Sequence, residues 1–421
     1  MTALWLHLRT SPLRWILLPL IVLTLMILLL GPNYWIGIWP ETGAAAQVPA
    51  FFLSIIAAGA AAWSSGSKKR HNLEEQMAAA AIPAAKSEAY QLGTSMIILV
   101  IPYLIGHAVA FALTARTFPA GIQLWLGYAL MGTVVMLLAI AWGWAIGRYL
   151  SPVYAALVAL LSWFVFEVFP GDTADLGVLS GPVWQQPDTR TMLIRFVAVA
   201  VFSTVIVWAP PLRTQWKANW ERLIFPMVAA AVAIVATVGT AGISDRDAPR
   251  NPLCVAGKVE MCLWPENVKY IPMIHSVDAR VSTLPASFQL PLRLYEYGLK
   301  RRQISYAGET VTQLEGDFDI SEGSKWGLAL GVSDAIISET LKSCDWDAIR
   351  RADDFTPEAV RRWVEFYLTE SSTPDYRTSG VPQGIEEAWS AASKVFTELP
   401  PQKQREWVQE QLNRLKASHC G

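Results

Sequence analysis

The first 243 residues are dominated by apolar stretches that are long enough to cross a lipid bilayer. A membrane-spanning helix needs about 20 predominantly apolar residues, and helix is the structure that satisfies the backbone in lipid. Only 16% of all residues are charged, against about 25% in ordinary soluble domains. The predicted spans, of which the second and sixth are short, are approximately Trp15–Trp35, Val48–Trp63, Leu92–Thr114, Ile122–Ile146, Pro152–Phe169, Met192–Trp208 and Leu223–Gly242. We therefore predict about seven transmembrane helices.

The charge distribution divides the chain into two regions. Residues 1–243 carry 13 Lys and Arg against nine Asp and Glu, whereas residues 244–421 carry 21 against 26. The second region has the charge density of a soluble domain, and its short alternating segments followed by helix-like segments indicate an α+β fold. The predicted architecture is a polytopic α-helical membrane domain, residues 1–243, followed by a soluble α+β domain, residues 244–421. The net charge of −1 lacks the basic surplus of a nucleic-acid-binding protein.

The positions of Lys and Arg predict the orientation of the spans. Loops on the cytoplasmic side of a membrane carry an excess of these residues. One set of span ends holds only Arg116 and Arg190, and the other holds Arg9, Arg14, Lys68, Lys69, Arg70, Lys86, Arg148, Arg213, Lys217 and Arg222. This asymmetry places the amino terminus in the cytoplasm. With seven crossings, the α+β domain is then extracytoplasmic.

All four cysteines lie in the second region, at Cys254, Cys262, Cys344 and Cys420. An even number confined to one extracytoplasmic segment suggests disulfides, which persist in oxidising compartments. Of the three possible pairings, Cys254–Cys262 with Cys344–Cys420 is favoured because the first pair brackets a short turn-like segment. Four buried free thiols are an alternative. Zinc binding is less favoured because the chain has no closely spaced Cys or His pairs.

The longest internal loop, residues 64–91, connects the second and third predicted spans on the cytoplasmic side. A basic cluster, Lys68–Arg70, is followed by an Ala-rich helix-forming segment with one apolar face. Pro83 lies within that segment and should bend or end the helix. Such a segment lies naturally along a membrane surface. A passive anchored loop is an equally good interpretation of the pattern by itself.

The order of these elements resembles the permease subunit of a type-2 ABC exporter, in which a coupling helix with a central Pro precedes the third span. The counterpart here is Leu73–Tyr90, and the outer re-entrant segment corresponds to Gly171–Arg190. The chain more closely resembles uncharacterised actinobacterial permease-like membrane proteins with an external carboxy-terminal domain. That similarity rests on Cys254, on Cys262-Leu263-Trp264-Pro265-Glu266, and on Leu399–Pro401 with Trp407. The seventh predicted span departs from the general permease pattern.

The resemblance implies a partner, because this chain has no GxxxxGK[ST] motif and ATP must be bound and hydrolysed by a separate ABC ATP-binding subunit. The implied location is a bacterial plasma membrane, and two permease subunits would pair as a homodimer or heterodimer. The implied function is export of a peptide, a lipid or an antibiotic-like compound. The residues expected to couple to the ATPase are Leu73, Glu74, Met77, Pro83 and Lys86.

Two other classes of function compete with transport. A membrane-anchored extracytoplasmic binding or scaffold protein needs no partner ATPase. A hydrolase is less favoured because no HExxH or GxSxG motif is present. We expect no enzymatic activity and no cofactor on this chain itself.

Three ionisable residues fall inside predicted spans, where charge is costly: His107, Glu167 and Arg195. His107 is expected to form a hydrogen bond to a neighbouring helix. Glu167 and Arg195 suit an ion pair between adjacent spans, which would join two helices or hold an outer gate. Gly143 and Gly147 offer a face of small residues for close helix packing.

Overall fold

The computed structural model describes residues 2–67, 83–150, 152–169, 181–208, 228–229, 231–233, 235, 239–306, 309–352, 354–373 and 383–420. The chain divides into two compact units, Met1–Asp245 and Arg246–Gly421. We call them the membrane unit and the carboxy-terminal unit and describe each by itself.

The described part of the membrane unit is almost entirely helical. One short antiparallel pair of strands, β1 and β2, joins residues on either side of the last long helix. The elements are α1 Thr2–Thr10, α2 Arg14–Leu30, α3 Trp39–Ser65, α4 Ala84–Thr114, α5 Ile122–Tyr149, α6 Pro152–Val168, β1 Gln185–Pro187, α7 Thr189–Trp208 and β2 Ile243–Asp245.

Four of these helices, α3, α4, α5 and α7, are long and apolar enough to cross a membrane. A fifth candidate is the pair α1 and α2, which meet at a bend of 75°. Helix α6 is apolar but has only 17 residues, fewer than the roughly 20 that a span requires. The described residues therefore contain four to five candidate spans, and the predicted seven are not confirmed. Most of the seventh, Leu223–Gly242, lies outside the described residues.

Helix α3 begins at Trp39, nine residues before the predicted second span. Pro40 occupies its first turn, where the missing backbone N–H would have no partner in any case. The residues from Glu41 to Gln47 include charged and polar side chains, which is why the apolar count excluded them. They are buried or half-buried in the membrane unit, so their polar side chains are largely shielded by other parts of the protein.

Helix α3 lies at the centre of the bundle and packs along α5, with α4, α6 and α2 around it. The closest approach is made by glycines of α5. A Cβ on Gly143 would lie 2.0 Å from the carbonyl oxygen of Ala58, and one on Gly147 would lie 2.1 Å from that of Ala62. The predicted packing face of small residues is therefore confirmed, and its partner is α3.

The sequence predicts a coupling helix, Leu73–Tyr90, that is separate from the third span, and the structure differs from this prediction. Helix α4 begins at Ala84, directly after Pro83, and continues without interruption to Thr114. Residues 84–90 are therefore the first turns of a long helix, and Pro83 directly before them is well tolerated because its missing N–H would have no partner at a helix start. Residues 68–82 lie outside the described part.

The carboxy-terminal unit combines small sheets with helices. Strands β3, β4 and β5 form a mixed sheet, in which β3 and β4 are antiparallel and β4 and β5 are parallel. Strands β6 and β7 form an antiparallel hairpin. The elements are β3 Leu253–Val255, β4 Glu260–Leu263, a 3₁₀ helix Pro265–Tyr270, α8 Ile271–Val281, β5 Arg293–Tyr295, β6 Lys300–Tyr306, β7 Glu309–Glu315, a 3₁₀ turn Ser321–Gly323, α9 Lys325–Thr340, α10 Trp346–Arg351, α11 Thr356–Thr369, α12 Gln383–Glu398 and α13 Pro401–His419.

Two disulfides cross-link this unit, in the pairing that the sequence favours. Cys254 and Cys262 lie directly opposite each other on β3 and β4. Cys344 and Cys420 join the residues just before α10 to the end of α13. The second bridge closes a loop of 76 positions and the first a loop of only eight. Because the entropy lost by the unfolded chain rises with loop length, the second bridge contributes more stability in the chain-entropy model.

Candidate functional site

A cluster of polar and aromatic side chains is enclosed between α3, α4 and α5 in the membrane unit. Gln47 comes from α3, Tyr103 and His107 from α4, and Trp125 from α5. The side chains of Gln47, Tyr103 and His107 are no more than 2% exposed. We call these four residues the intramembrane polar cluster.

Gly132 allows the cluster to form. A Cβ at that position would lie 2.1 Å from the hydroxyl oxygen of Tyr103 and 3.1 Å from Cγ of Gln47. The two side chains therefore meet over a point on α5 where any larger residue would displace them. The Tyr103 hydroxyl donates to the carbonyl oxygen of Ala129 at 3.2 Å, which links α4 to α5 across the same glycine.

Aromatic rings surround His107. Its ring lies edge-on to Tyr103, with 4.5 Å between centroids, and to Trp125, at 5.9 Å. Trp125 in turn packs against Phe111 at 4.9 Å and against Trp39 at 6.2 Å. Tyr103 and Trp125 therefore contact the imidazole directly, and the other two rings pack behind Trp125.

Several polar atoms of the cluster have no hydrogen-bond partner among the described residues. They are both amide atoms of Gln47, both ring nitrogens of His107 and Nε1 of Trp125. The hydrogen bond expected from His107 to a neighbouring helix is therefore not formed in this part of the chain. Leaving a buried polar group unpaired costs about 1–3 kcal/mol. Such groups call for an explanation in a native structure, and a water, an ion or a ligand is the usual one.

Glu167 and Arg195 have separate partners instead of the expected ion pair. Glu167 accepts a hydrogen bond of 2.6 Å from the hydroxyl of Ser54, which ties α6 to α3. Arg195 donates to the carbonyl oxygen of Thr240 at 2.7 Å. Each group therefore forms a hydrogen bond to a neutral atom on another segment, and the spacing of residues along the sequence does not reveal these contacts.

Of the residues expected to couple to an ATPase, only Pro83 and Lys86 are described. Both are exposed at the start of α4, and the amide of Lys86 donates to the carbonyl of Pro83 at 3.0 Å. Leu73, Glu74 and Met77 lie outside the described residues. The structure therefore places the end of the loop but not its central helix-forming segment.

In the carboxy-terminal unit, the Cys-x-x-Pro-Glu motif surrounds a buried carboxyl group. Glu296 is fully buried and accepts hydrogen bonds from the backbone N–H of Trp264, at 2.8 Å, and from the amide of Asn267. Burial raises the pKa of Glu296 to about 8, although these two hydrogen bonds oppose the shift. The nearby charges of Asp319 and Glu266 add to the increase in pKa.

The same motif joins the start of this unit to its core. Arg246 forms an ion pair of 2.8 Å with Glu266, and its guanidinium carbon lies 4.7 Å from the centre of the Trp264 ring. The indole N–H of Trp264 donates to the carbonyl oxygen of Tyr297 at 2.9 Å. These contacts give the motif a structural role. Its key acid, Glu296, was missed because it is distant in sequence from the motif.

Metal binding finds little support in the described residues. The one group of suitable ligands that lie close together there is Cys254, Glu260 and Cys262. Both sulfurs are used in the disulfide, so they are not available as thiolate ligands. Glu260 forms an ion pair with Arg293.

Together these features define a helical membrane protein with four to five candidate spans and a disulfide-bonded carboxy-terminal unit. Searches of protein-family models, curated proteins and solved structures found no match to this chain. Its resemblance to ABC permeases is therefore supported only by the sequence motifs and the order of elements.

Proposed function

We propose that this chain is the transmembrane subunit of an ABC-type exporter that moves a peptide, a lipid or an antibiotic-like compound. A separate ABC ATP-binding subunit supplies ATP hydrolysis, and two permease subunits pair in a bacterial plasma membrane. The amino terminus is cytoplasmic and the disulfide-bonded unit is extracytoplasmic. This topology requires an odd number of membrane crossings, and seven spans are predicted from the sequence.

The observation that carries the proposal is the intramembrane polar cluster. Helices that only anchor an external domain would be more stable with apolar side chains at Gln47 and His107, because unpaired polar groups destabilise a buried interface. Polar and ionisable groups inside a bundle characteristically line substrate or ion pathways. Their unused hydrogen-bonding capacity supports a role in contacting a transported molecule.

Removing the unpaired polar groups should separate stability from function. We expect Gln47→Leu and His107→Leu to unfold at the same or a higher temperature than the wild type, while nucleotide-dependent efflux from reconstituted vesicles falls at least tenfold. Thr204→Val on α7 is the control, because Thr204 is exposed and its hydroxyl donates to the carbonyl oxygen of Ala200 in the same helix. Stable leucine variants with full efflux would argue against a transport role for the cluster.

The partner ATPase is tested through the cytoplasmic loop. We expect the wild-type chain, isolated from its native membrane, to co-purify with an ATP-binding subunit. Replacing residues 73–82 with a Gly/Ser linker of equal length should abolish that complex, because it removes the proposed docking helix and keeps α4 intact from Pro83. Arg116→Ala, on the opposite side of the membrane in the predicted topology, serves as the control.

Two results would contradict this part of the proposal. One is an ATPase complex that is unaffected by replacement of residues 73–82. The other is a stable native complex without any ATPase, which would favour the alternative function, a membrane-anchored extracytoplasmic binding or scaffold protein.

A further inference from the structure

A polar cavity of about 120 Å³ lies at one end of the membrane unit. A single water needs only about 10–15 Å³ of such space, so the cavity accommodates a larger group. It is bounded by the turn between α1 and α2, the end of α3 and one face of α4. Six hydroxyl-bearing residues line it: Thr10, Ser11, Ser64, Ser67, Thr94 and Ser95. The proposed transport function makes no use of this cavity.

Three of the six hydroxyl groups of this cavity present hydrogen-bond acceptors. Thr10, Thr94 and Ser95 each donate their single hydroxyl proton to the carbonyl four residues earlier in the same helix, at 2.7–3.0 Å. Only the lone pairs of these three hydroxyl oxygens remain for a ligand. The cavity also lies beside the carboxyl ends of α1 and α3, where exposed carbonyl groups carry partial negative charge. These three hydroxyl oxygens and the two helix ends therefore favour a cationic group with several N–H donors.

The charge of the lining limits the type of cation. No Asp or Glu is among the nine residues that line the cavity. Divalent metal ions are usually bound through carboxylates, and this site offers none. A primary ammonium group fits better, because its three N–H bonds can each find a neutral oxygen acceptor.

Two arginines flank the turn that borders the cavity, and each lies beside an exposed tryptophan. Arg9 lies 5.3 Å from the ring centre of Trp5, and Arg14 lies 5.1 Å from that of Trp15. The two tryptophans are 57% and 75% exposed. Exposed Trp and Arg at the end of an apolar helix are typical of the membrane interface. Guanidinium groups at this level are well suited to binding phosphate.

We propose that this cavity binds the ethanolamine group of phosphatidylethanolamine in the leaflet on the amino-terminal side. The ammonium group occupies the hydroxyl-lined cavity, and Arg9 and Arg14 hold the phosphate. Phosphatidylcholine would bind less well, because its trimethylammonium group has no N–H to donate.

The test is competition between lipids. The full-length protein is reconstituted in bilayer discs with equal amounts of phosphatidylethanolamine, phosphatidylcholine and phosphatidylglycerol, and the retained lipids are counted by native mass spectrometry. We expect the wild type to retain phosphatidylethanolamine at least fivefold over phosphatidylcholine. The double variant Thr94→Val with Ser95→Ala should bring this ratio close to one.

A matched control and a second variant keep the interpretation clear. Thr133→Val removes the same kind of intrahelical hydrogen bond from α5, at 2.8 Å, outside the cavity, and should keep the wild-type ratio. Arg14→Gln should lower retention of all three lipids without changing the ratio. Equal retention of ethanolamine and choline lipids by the wild type would overturn the proposal. So would an unchanged ratio in the double variant, or retention of phosphatidylglycerol equal to that of phosphatidylethanolamine.

Discussion

Replacing Gly143 with alanine is expected to cause a large loss of stability in the membrane unit. The added Cβ would lie 2.0 Å from the carbonyl oxygen of Ala58 and 2.7 Å from its carbonyl carbon. Both are backbone atoms, so no side-chain rotation can relieve the clash and α5 must move away from α3. Overpacking commonly costs 1–3 kcal/mol, and we expect at least about 3 kcal/mol here. The measurement is thermal unfolding of the full-length protein in detergent.

Gly93→Ala is the matched control for this substitution. Gly93 lies in α4, and a Cβ built there meets no atom within 4 Å. Alanine is favoured over glycine within a helix by about 1 kcal/mol, so this variant should unfold at the same or a higher temperature. Gly143→Ala that is as stable as Gly93→Ala would show that α3 and α5 are not packed as described. Should Gly143→Ala fail to accumulate while Gly93→Ala accumulates normally, the packing is supported.

The second large effect is a dependence of stability on pH that arises from Glu296. The ordinary pKa of its carboxyl group is 4.5, and burial raises the pKa to about 8 in the folded protein. Between these values the unfolded chain loses a proton that the folded chain keeps. The free energy of unfolding should therefore fall as the pH rises from 4.5 to 8, by about 1.4 kcal/mol for each pH unit. The destabilisation is absent below this window and complete above it.

Glu296→Gln should remove this contribution, because an amide does not ionise. The glutamine oxygen can still accept the N–H of Trp264, and its NH₂ can donate to Oδ1 of Asn267 once the Asn267 amide is turned over. We expect the variant and the wild type to have similar stability at pH 5. At pH 8.5 the variant should be more stable, by several kcal/mol.

Unfolding of the full-length protein at a series of pH values measures this difference. The control is Glu339→Gln, because Glu339 is a partly exposed acid on α9 whose one ion pair among the described residues is with Lys342, three positions away. The contributions of the other titrating groups to the pH dependence cancel when each variant is compared with the wild type. A Glu296→Gln variant with the same pH dependence as the wild type would exclude a raised pKa at this residue.

The predicted helices differ in how well their boundaries agree with the structure. Helix α5 starts at Ile122, as predicted, because an uninterrupted apolar run is a local property of the sequence. The predicted start of α3 was wrong, because the polar residues near its beginning are buried by other helices and only the fold reveals this burial. Because of the same error, Gln47 was not predicted as a residue of the second span or of a site, since it directly precedes that span. His107 was identified as a candidate, but its aromatic surroundings were not.

Partners of buried polar groups were harder to predict than the groups themselves. The depth of Glu167 suggested an ion pair, yet its partner is the hydroxyl of Ser54, more than 100 positions earlier. Likewise, the motif around Trp264 was recognised without Glu296, the acid that it encloses. A hydrogen bond requires atoms to meet within about 3 Å, and this depends on the rotation of each helix about its axis.

Residue types and their order alone were enough to separate a region with apolar segments of membrane-spanning length from a charged, cysteine-bearing one and to select the cysteine pairing. Hydrophobic length, charge density and the spacing of cysteines are all properties of the chain before it folds. The three-dimensional packing decided which polar side chains meet, as those of Gln47 and Tyr103 do at Gly132, and which hydroxyl groups line the cavity beside α1. These groupings join residues from helices that are distant in sequence, and small rotations of the helices determine them.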